Sequence, residues 1–427
     1  MSTLSQIPSM PEIQPSIHEN SAEQQPGAAI RGRDIVVVSI QPWYYELGSN
    51  CKNIATYFSG DNRVLYINSP ITRKTYHSKY KSSGVEKHCD IIKKGIPEVR
   101  QIKENMWEYY PISLMESINR IPFTALFRPA NYINSRRLAN DIKKAIKMLG
   151  FKDVILFNDN DIYKGYHLKE LLHPKLYVYY CRDFLQGYNY FKPHAAVLEP
   201  RLIQKADLVV TNSTYYAEYC SAFNSNSHYI GQGCNIELFD STKNREIPED
   251  LKQISSPIIG YVGALDSARL DENIVSVIAK ANPGWNVVLV GPEDDNFAKS
   301  SLHQLSNVHF LGRRPMQQLP DYVAAFDVCI NPQLVNPITQ GNYPLKIDEY
   351  LAMGKPVVAS KTSAMKLFEE FTYLANEPAE YPELVIEALA AANSNRAERI
   401  AFARNHTWEN SMTELYKVMA EHLTTMR

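Results

Sequence analysis

The stretch GNYPLKIDEYLAMGKPVVAS, residues 341–360, sets Lys346 and Glu349 three positions apart, just ahead of AMGKPVV. On a helix such residues are neighbours, and the rest of this helix is apolar: Leu345, Ile347, Tyr350 and Leu351. Two readings compete. An exposed i,i+3 pair contributes only ~0.3 kcal/mol, whereas a pair turned toward a ligand brings both charges to chemistry. Two other clusters carry reactive groups. YYCRDF holds Arg182 and Asp183, and NDNDIY holds Asp159 and Asp161. The DND triplet invites a metal, but it lacks further carboxylates at matched spacing. The six cysteines are scattered without a C-x-x-C pair, which argues against structural zinc and fits buried thiols in a reducing compartment. His194 and His228 have no partner visible in sequence and read as structural.

The elements that must position these groups belong to a chain of 427 residues. Domains of roughly 150 residues make that two or three units. Hydrophobic residues at 44% and charged ones at 21% describe a globular protein. A formal net charge of -1 gives no overall pull toward nucleic acid or anionic lipid. No apolar run approaches the ~18 residues of a membrane span, and the N-terminus lacks the layout of a signal peptide. The expected location is the cytoplasm. Residues 1–30 hold Pro8, Pro11, Pro15 and Pro26 among Ser and Gln, without an aromatic residue, and are expected to be a disordered leader.

Structure is expected from DIVVVSIQPWYY onward. The β-branched run at 35–40 predicts a strand buried on both faces of a parallel sheet. A helix over SNCKNIATYFS and a strand over RVLYINSP complete a βαβ unit. Residues 41–49 then lie at the carboxyl edge of the first strand, where open α/β sheets bind ligands. No G-x-G-x-x-G is present, so a dinucleotide fingerprint is not supported. Residues 72–103 are irregular and basic, with nine Lys or Arg against three acids. They read either as a solvated loop region or as a patch for an anionic acceptor or membrane headgroups. Further strands follow in DVILFNDN, LYVYYCRDF and DLVVTNS, with a helix over AVLEPRLIQKA. The Pro- and charge-rich segment 240–257 reads as a linker. A second βα series runs through PIIGYVGAL, NVVLVGP, NVHFLG, DVCINPQ, PVVAS and FTYLAN. A closing helix begins at HTWENSMTELYKVM, with Thr407 as its N-cap. The pattern predicts an α/β protein of two doubly wound, Rossmann-like domains facing across a cleft: 31–240, a linker at 241–256, and 257–405. The final helix, 406–427, is expected to pack back toward the first domain.

Several segments, in order, resemble the GT-B glycosyltransferases of the large retaining group that includes glycogen synthase and sucrose synthase (family 4). IGQGCNIELF resembles the group's closing element of the first domain. IIGYVGAL resembles the first strand of the donor domain, and NVHFLGRRPMQQLPDYVAAFDVCINP its strand, base-contacting turn, helix and next strand. YPLKIDEYLAMGKPVVAS is similar to the donor-binding helix and HTWENSMTELYKVM to the terminal helix. The likeness spans about residues 34–423 and is specific from about 175 onward. With YCRDF and LEPRLIQKADLVVTNS it is most similar to the branch of teichuronic-acid-type cell-surface polysaccharide transferases.

That resemblance implies a nucleotide-sugar donor whose diphosphate leaves, so catalysis depends on stabilising its developing charge. A helix N-terminus and a nearby cation suit this. Gly341 and Asn342 are expected to offer backbone N–H groups, with Pro344 in the first helical turn, Leu345 beside them and Lys346 as the point charge. Glu349 would accept from the ribose hydroxyls. Gly263 and Arg269, after the first donor-domain strand, and Gly312 with Arg313, in FLGRRP, complete the expected donor site. One departure is plain: the group carries a second Glu eight residues before the ribose Glu, and here that position is Gly341. Sugar recognition would then pass to Asn336, Thr339 or Gln340. On the acceptor side Asp183 is expected to orient the acceptor or act as a weak base, with Arg182 as second candidate, while Asp159 and Asp161 could bind acceptor hydroxyls.

The expected function is transfer of a sugar from a UDP- or GDP-sugar to a glycan or lipid-linked acceptor in polysaccharide or cell-envelope biosynthesis, with anomeric retention. No cofactor, no metal and no nucleic-acid partner are expected. Peripheral contact with the inner face of the cell membrane would run through residues 73–103. Two alternatives stay open. A sugar-nucleotide 2-epimerase shares the architecture and needs no acceptor. A degenerate, non-catalytic GT-B protein would bind the donor without turnover.

Overall fold

The computed structural model describes residues 30–45 and 48–425. The expected leader, 1–30, lies outside these except for its last residue. Two sheets are laid down one after the other. The first contains β1 (Asp34–Ser39), β2 (Arg63–Ile67), β3 (Val99–Lys103), β4 (Met106–Tyr109), β5 (Ile155–Asp159), β6 (Leu176–Cys181), β7 (Leu208–Thr211) and β8 (Ser227–Tyr229). Their order is β3-β4-β2-β1-β5-β6-β7-β8, parallel throughout except for the β3–β4 pair. The second contains β9 (Ile258–Val262), β10 (Asn286–Val290), β11 (Val308–Phe310), β12 (Val328–Asn331), β13 (Val357–Ser360) and β14 (Tyr373–Ala375). Its order is β11-β10-β9-β12-β13-β14.

The continuous apolar runs have a direct cause. In β1, Val36 and Val38 enter one core while Ile35 and Val37 enter the other. A strand covered on both faces has no solvent side to keep polar. The closing helix Trp408–Thr425 supplies part of the second of those cores, through Trp408, Met412, Leu415 and Met419. Thr407 caps it, its hydroxyl accepting the Asn410 N–H at 3.1 Å. In each sheet the strand order reverses beside the first strand, at β1/β5 and at β9/β12. Those two points are where a crevice opens at the carboxyl ends of the strands.

Two segments differ from expectation. Residues 72–103 are not a solvated loop: they contain the helix Ser83–Lys94 and the edge strand β3. His88, Cys89 and Ile91 anchor that helix by burial. The long helix Thr124–Leu149 is absent from the sequence expectation: its inward face mixes Phe127, Leu138, Ile142 and Ala145 with Asn131, Asn134, Ser135 and Asp141, which blurs the apolar period in its first half. Asn131 donates to the Tyr163 carbonyl at 2.8 Å, and Asp141 accepts the Ser113 N–H at 2.8 Å. The segment expected as linker, 240–257, keeps that reading and pairs with the second domain, Arg245 with Asp321 at 3.1 Å and Asp250 with Arg314 at 2.7 Å.

Candidate functional site

The helix Leu345–Ala352 is fixed by its inward face before its outward face can act. Ile347, Tyr350 and Leu351 are fully buried. The Tyr350 hydroxyl accepts the Val262 N–H at 2.9 Å, locking the helix to the carboxyl end of β9. Asp348, also buried, accepts from the Tyr343 hydroxyl at 2.7 Å and pairs with His406 Nδ1 at 2.7 Å. Burial raises its carboxyl, and the bonds to His406 and Tyr343 pull it back.

Lys346 and Glu349 occupy the remaining face, both partly exposed. No ion pair joins them, so the surface-pair reading fails on geometry. The Lys346 ammonium lies 5.2 Å over the Tyr261 ring. Gly263, the residue after β9, makes room for it: a β-carbon there would stand 3.0 Å from Lys346 Cε and 2.8 Å from the Tyr261 oxygen. Its φ of +147° is also one that side chains disfavour. Burial pushes the Glu349 carboxyl up to about 7, against the pull of Lys346 and with Asp348 adding to the rise. A cation and a desolvated carboxyl one turn apart, at a switch point, are groups poised for a ligand.

The switch point of the first sheet carries a second polar cluster. Asp159, at the end of β5, is fully buried and accepts from the Ser39 hydroxyl at 2.6 Å and from Arg182 Nε at 2.6 Å. Arg182 also donates to Asp183. Burial works against the guanidinium's charge, but Asp159 and Asp183 outweigh it and hold its proton more tightly than usual. Arg182 and Asp183 form the polar end of a cleft of about 500 Å³ whose other walls include Tyr44, Tyr45, Val85, Leu185, Tyr188 and Phe191. Arg269 of the second domain reaches this wall, donating to the Tyr188 hydroxyl at 2.5 Å.

Several expected residues are placed otherwise. Asp159 and Asp161 do not face an acceptor. Asp159 is occupied as above, and Asp161 is buried, accepting the N–H groups of Tyr163 and Lys164 at 3.2 and 2.9 Å. The helix begins at Leu345, so Gly341 and Asn342 are not its first turn and Pro344 precedes it. The Asn342 N–H donates to the Thr339 carbonyl at 3.3 Å, and the Leu345 N–H to Tyr343 at 3.1 Å. Gly341 faces the first domain, where its carbonyl accepts from the Ser213 hydroxyl at 2.8 Å. Asn336 and Thr339 close a loop on themselves: Asn336 Oδ1 accepts the N–H of Ile338 at 2.9 Å, and Thr339 is fully buried. Gln340 donates to Ser363 at 2.6 Å. Gly312 lies in a left-handed turn just past β11, with φ of +67°, and Arg313 is exposed beside it. His194 has a partner after all, Thr124 Oγ1 at 3.0 Å, and stacks on Phe127. Among the described residues no group of three or more His, Cys, Asp or Glu could hold a metal ion.

Sequence reasoning missed Tyr188, Tyr261, Ser213, Tyr215 and His406. None follows from spacing, since each meets its partner across 58 or more residues or, for Tyr261, through a cation–ring contact. The His of HTWENS, at the head of the terminal helix, was the one available signal.

Residues 256–392 match the family model described as glycosyl transferases group 1. The putative teichuronic acid biosynthesis glycosyltransferase TuaH of Bacillus subtilis is 30% identical over 182 residues, covering 41% of this chain and 46%, about half, of that relative. The UDP-forming α,α-trehalose-phosphate synthase of Burkholderia vietnamiensis superposes with a TM-score of 0.68 at 11% identity, over 92% of this chain and 100% of that one. Anabaena Alr3699/HepE, solved in complex with UDP, superposes with a TM-score of 0.60 at 16% identity, again over 92% and 100%. The chain has the two-domain GT-B fold, and its residues 256–392 are similar to the glycosyl transferases group 1 domain.

Proposed function

We propose that this chain transfers a sugar from a nucleoside-diphosphate donor to a glycan or lipid-linked acceptor in the assembly of a cell-surface polysaccharide. The observation that carries this reading is Lys346 and Glu349, without an ion pair among the described residues, on the outward face of one rigidly held helix, beside Gly263 at the carboxyl edge of β9. A departing diphosphate needs a cation that is not already neutralised, and Lys346 meets that need. Glu349 accepts from the ribose hydroxyls, with Leu345 beside it. Arg269 completes the positive side of the leaving group, while Gly312 and Arg313 border the base. Asp183, held by Arg182 at the end of the aromatic cleft, orients the acceptor hydroxyl or takes its proton, and the configuration at the anomeric carbon is retained.

UDP is the favoured nucleotide, since the solved neighbour HepE was captured with it, and GDP is the alternative. Contact of residues 73–103 with the inner face of the cell membrane belongs to the same reading. Calorimetric titration with UDP and GDP, followed by turnover assays with their sugars, tests it. Binding of neither nucleotide would overturn the proposal. Turnover without any acceptor would favour the epimerase, and binding without turnover the non-catalytic alternative.

A further inference from the structure

The helix Thr124–Leu149 has a composition that its fold does not require. Its six cations are Arg128, Arg136, Arg137, Lys143, Lys144 and Lys147, and its one acid, Asp141, is buried. Arg137 pairs with Glu116 at 2.9 Å and Lys144 with Asp141 at 3.2 Å. Among the described residues the other four cations meet no carboxylate. The helix also exposes large apolar side chains: Leu126 is 59% exposed, Ile133 44% and Met148 55%, and Phe123, just before the helix, is 66% exposed. At 1.5 Å per residue the helix runs about 39 Å.

Exposed apolar side chains interleaved with unpaired cations, and no exposed acid, match the chemistry of an anionic bilayer surface. The apolar groups gain by entering the headgroup boundary, and the cations by meeting lipid phosphates. A second copy of the chain would set like charges against one another. A nucleic acid would satisfy the cations yet leave Leu126, Ile133 and Met148 without a role.

The helix is tied to the aromatic cleft through the core behind it, where Phe127 and Tyr163 are both buried. Phe127, on the helix, packs against Tyr163 with ring centroids 4.8 Å apart, and Tyr163 against Phe191, a wall of the cleft, at 5.1 Å. Exposed Tyr190 adjoins Phe191.

We infer that the exposed side of Thr124–Leu149 docks this protein flat on an anionic membrane. This goes beyond the segment 73–103. The docking stands on the surface alone; that it serves a lipid-borne acceptor rests on the proposed transferase function.

The test is co-sedimentation of the full chain with phosphatidylcholine vesicles, with and without phosphatidylglycerol. Binding is expected only with the anionic lipid and should weaken as salt rises. The combined variant Arg128→Gln, Arg136→Gln, Lys147→Gln should bind on the order of a hundredfold more weakly. Leu126→Ser with Ile133→Ser should lose roughly tenfold, and the variant with all three cations as Lys or Arg exchanged, such as Arg128→Lys, should keep full binding. Absence of binding to anionic vesicles at low salt would overturn the inference. So would binding indifferent to both variants, or equal affinity for RNA that ignores the Leu126 and Ile133 changes. A dimer in solution broken by Ile133→Ser would assign the face to a second copy instead. UDP binding, measured alongside, reports on the donor site separately and confirms that each variant is folded.

Discussion

A β-carbon on Gly341 would stand 2.2 Å from Cδ1 of Tyr215, a residue of the other domain. The glycine at the position where the resembling group carries a Glu is thus a packing requirement, not an empty slot in the donor pocket. The Ser213 hydroxyl, donating to the Gly341 carbonyl at 2.8 Å, fixes the same contact. Gly341→Ala should cost about 1–3 kcal/mol by overpacking, or part the domains. Adding Tyr215→Ala should recover most of that loss. Chemical denaturation of the single and double variants measures it, and strict additivity would mean that the contact does not constrain residue 341.

Lys346→Ala should lower kcat by roughly 10²–10³-fold, the range for removing one group that stabilises developing negative charge. The melting temperature should stay within a degree or two, because among the described residues Lys346 makes no ion pair and its cation–ring contact is partly exposed. Steady-state kinetics with calorimetry separates the effects. Full activity with unchanged donor affinity would remove Lys346 from the site.

Glu349 should make donor affinity depend on pH. Its carboxyl, raised to about 7, is protonated below that value and cannot accept two hydroxyl bonds until it ionises. Nucleotide affinity should therefore rise as pH increases through about 7 and level off above it, with proton release on binding. Glu349→Gln should flatten the profile, read by calorimetry in buffers of different ionisation enthalpy.

Arg182 and Asp183 should separate. Arg182→Ala leaves Asp159 buried without its guanidinium, a loss of about 3–5 kcal/mol for a broken buried pair. Asp183, at the edge of the cleft, should tolerate Asn with little change in stability while turnover falls. Equal destabilisation by both changes would make Asp183 a scaffold residue.

Glu199 gives a stability test away from the site. Burial raises it to about 7, and its bonds to Gln186 and Tyr179 oppose the rise. A carboxyl raised in the folded state stabilises it below the unfolded value near 4.5, and that stability is lost as pH climbs through about 7. Glu199→Gln should shrink this part of the melting-temperature profile between those values. An unchanged profile would show that Glu199 ionises freely in the fold.

The sequence by itself determined what local periodicity and order can carry. Runs such as those of β1 and β9 announce strands covered on both faces, and YPLKIDEYLAMGKPVV announces a helix with an apolar inner face, which set Lys346 and Glu349 on the outside. The tertiary structure alone decided what those groups meet. Lys346 pairs with a ring and not with Glu349, Asp159 is taken by Ser39 and Arg182, and Gly341 yields its space to Tyr215. The first half of the helix Thr124–Leu149 stayed hidden for the same reason, although Leu138, Ile142 and Ala145 keep an apolar period in its second half. Its inward Asn131, Asn134 and Asp141 bond to backbone groups on distant segments, and such partners are chosen by folding in three dimensions, while hydrophobic period is written along one.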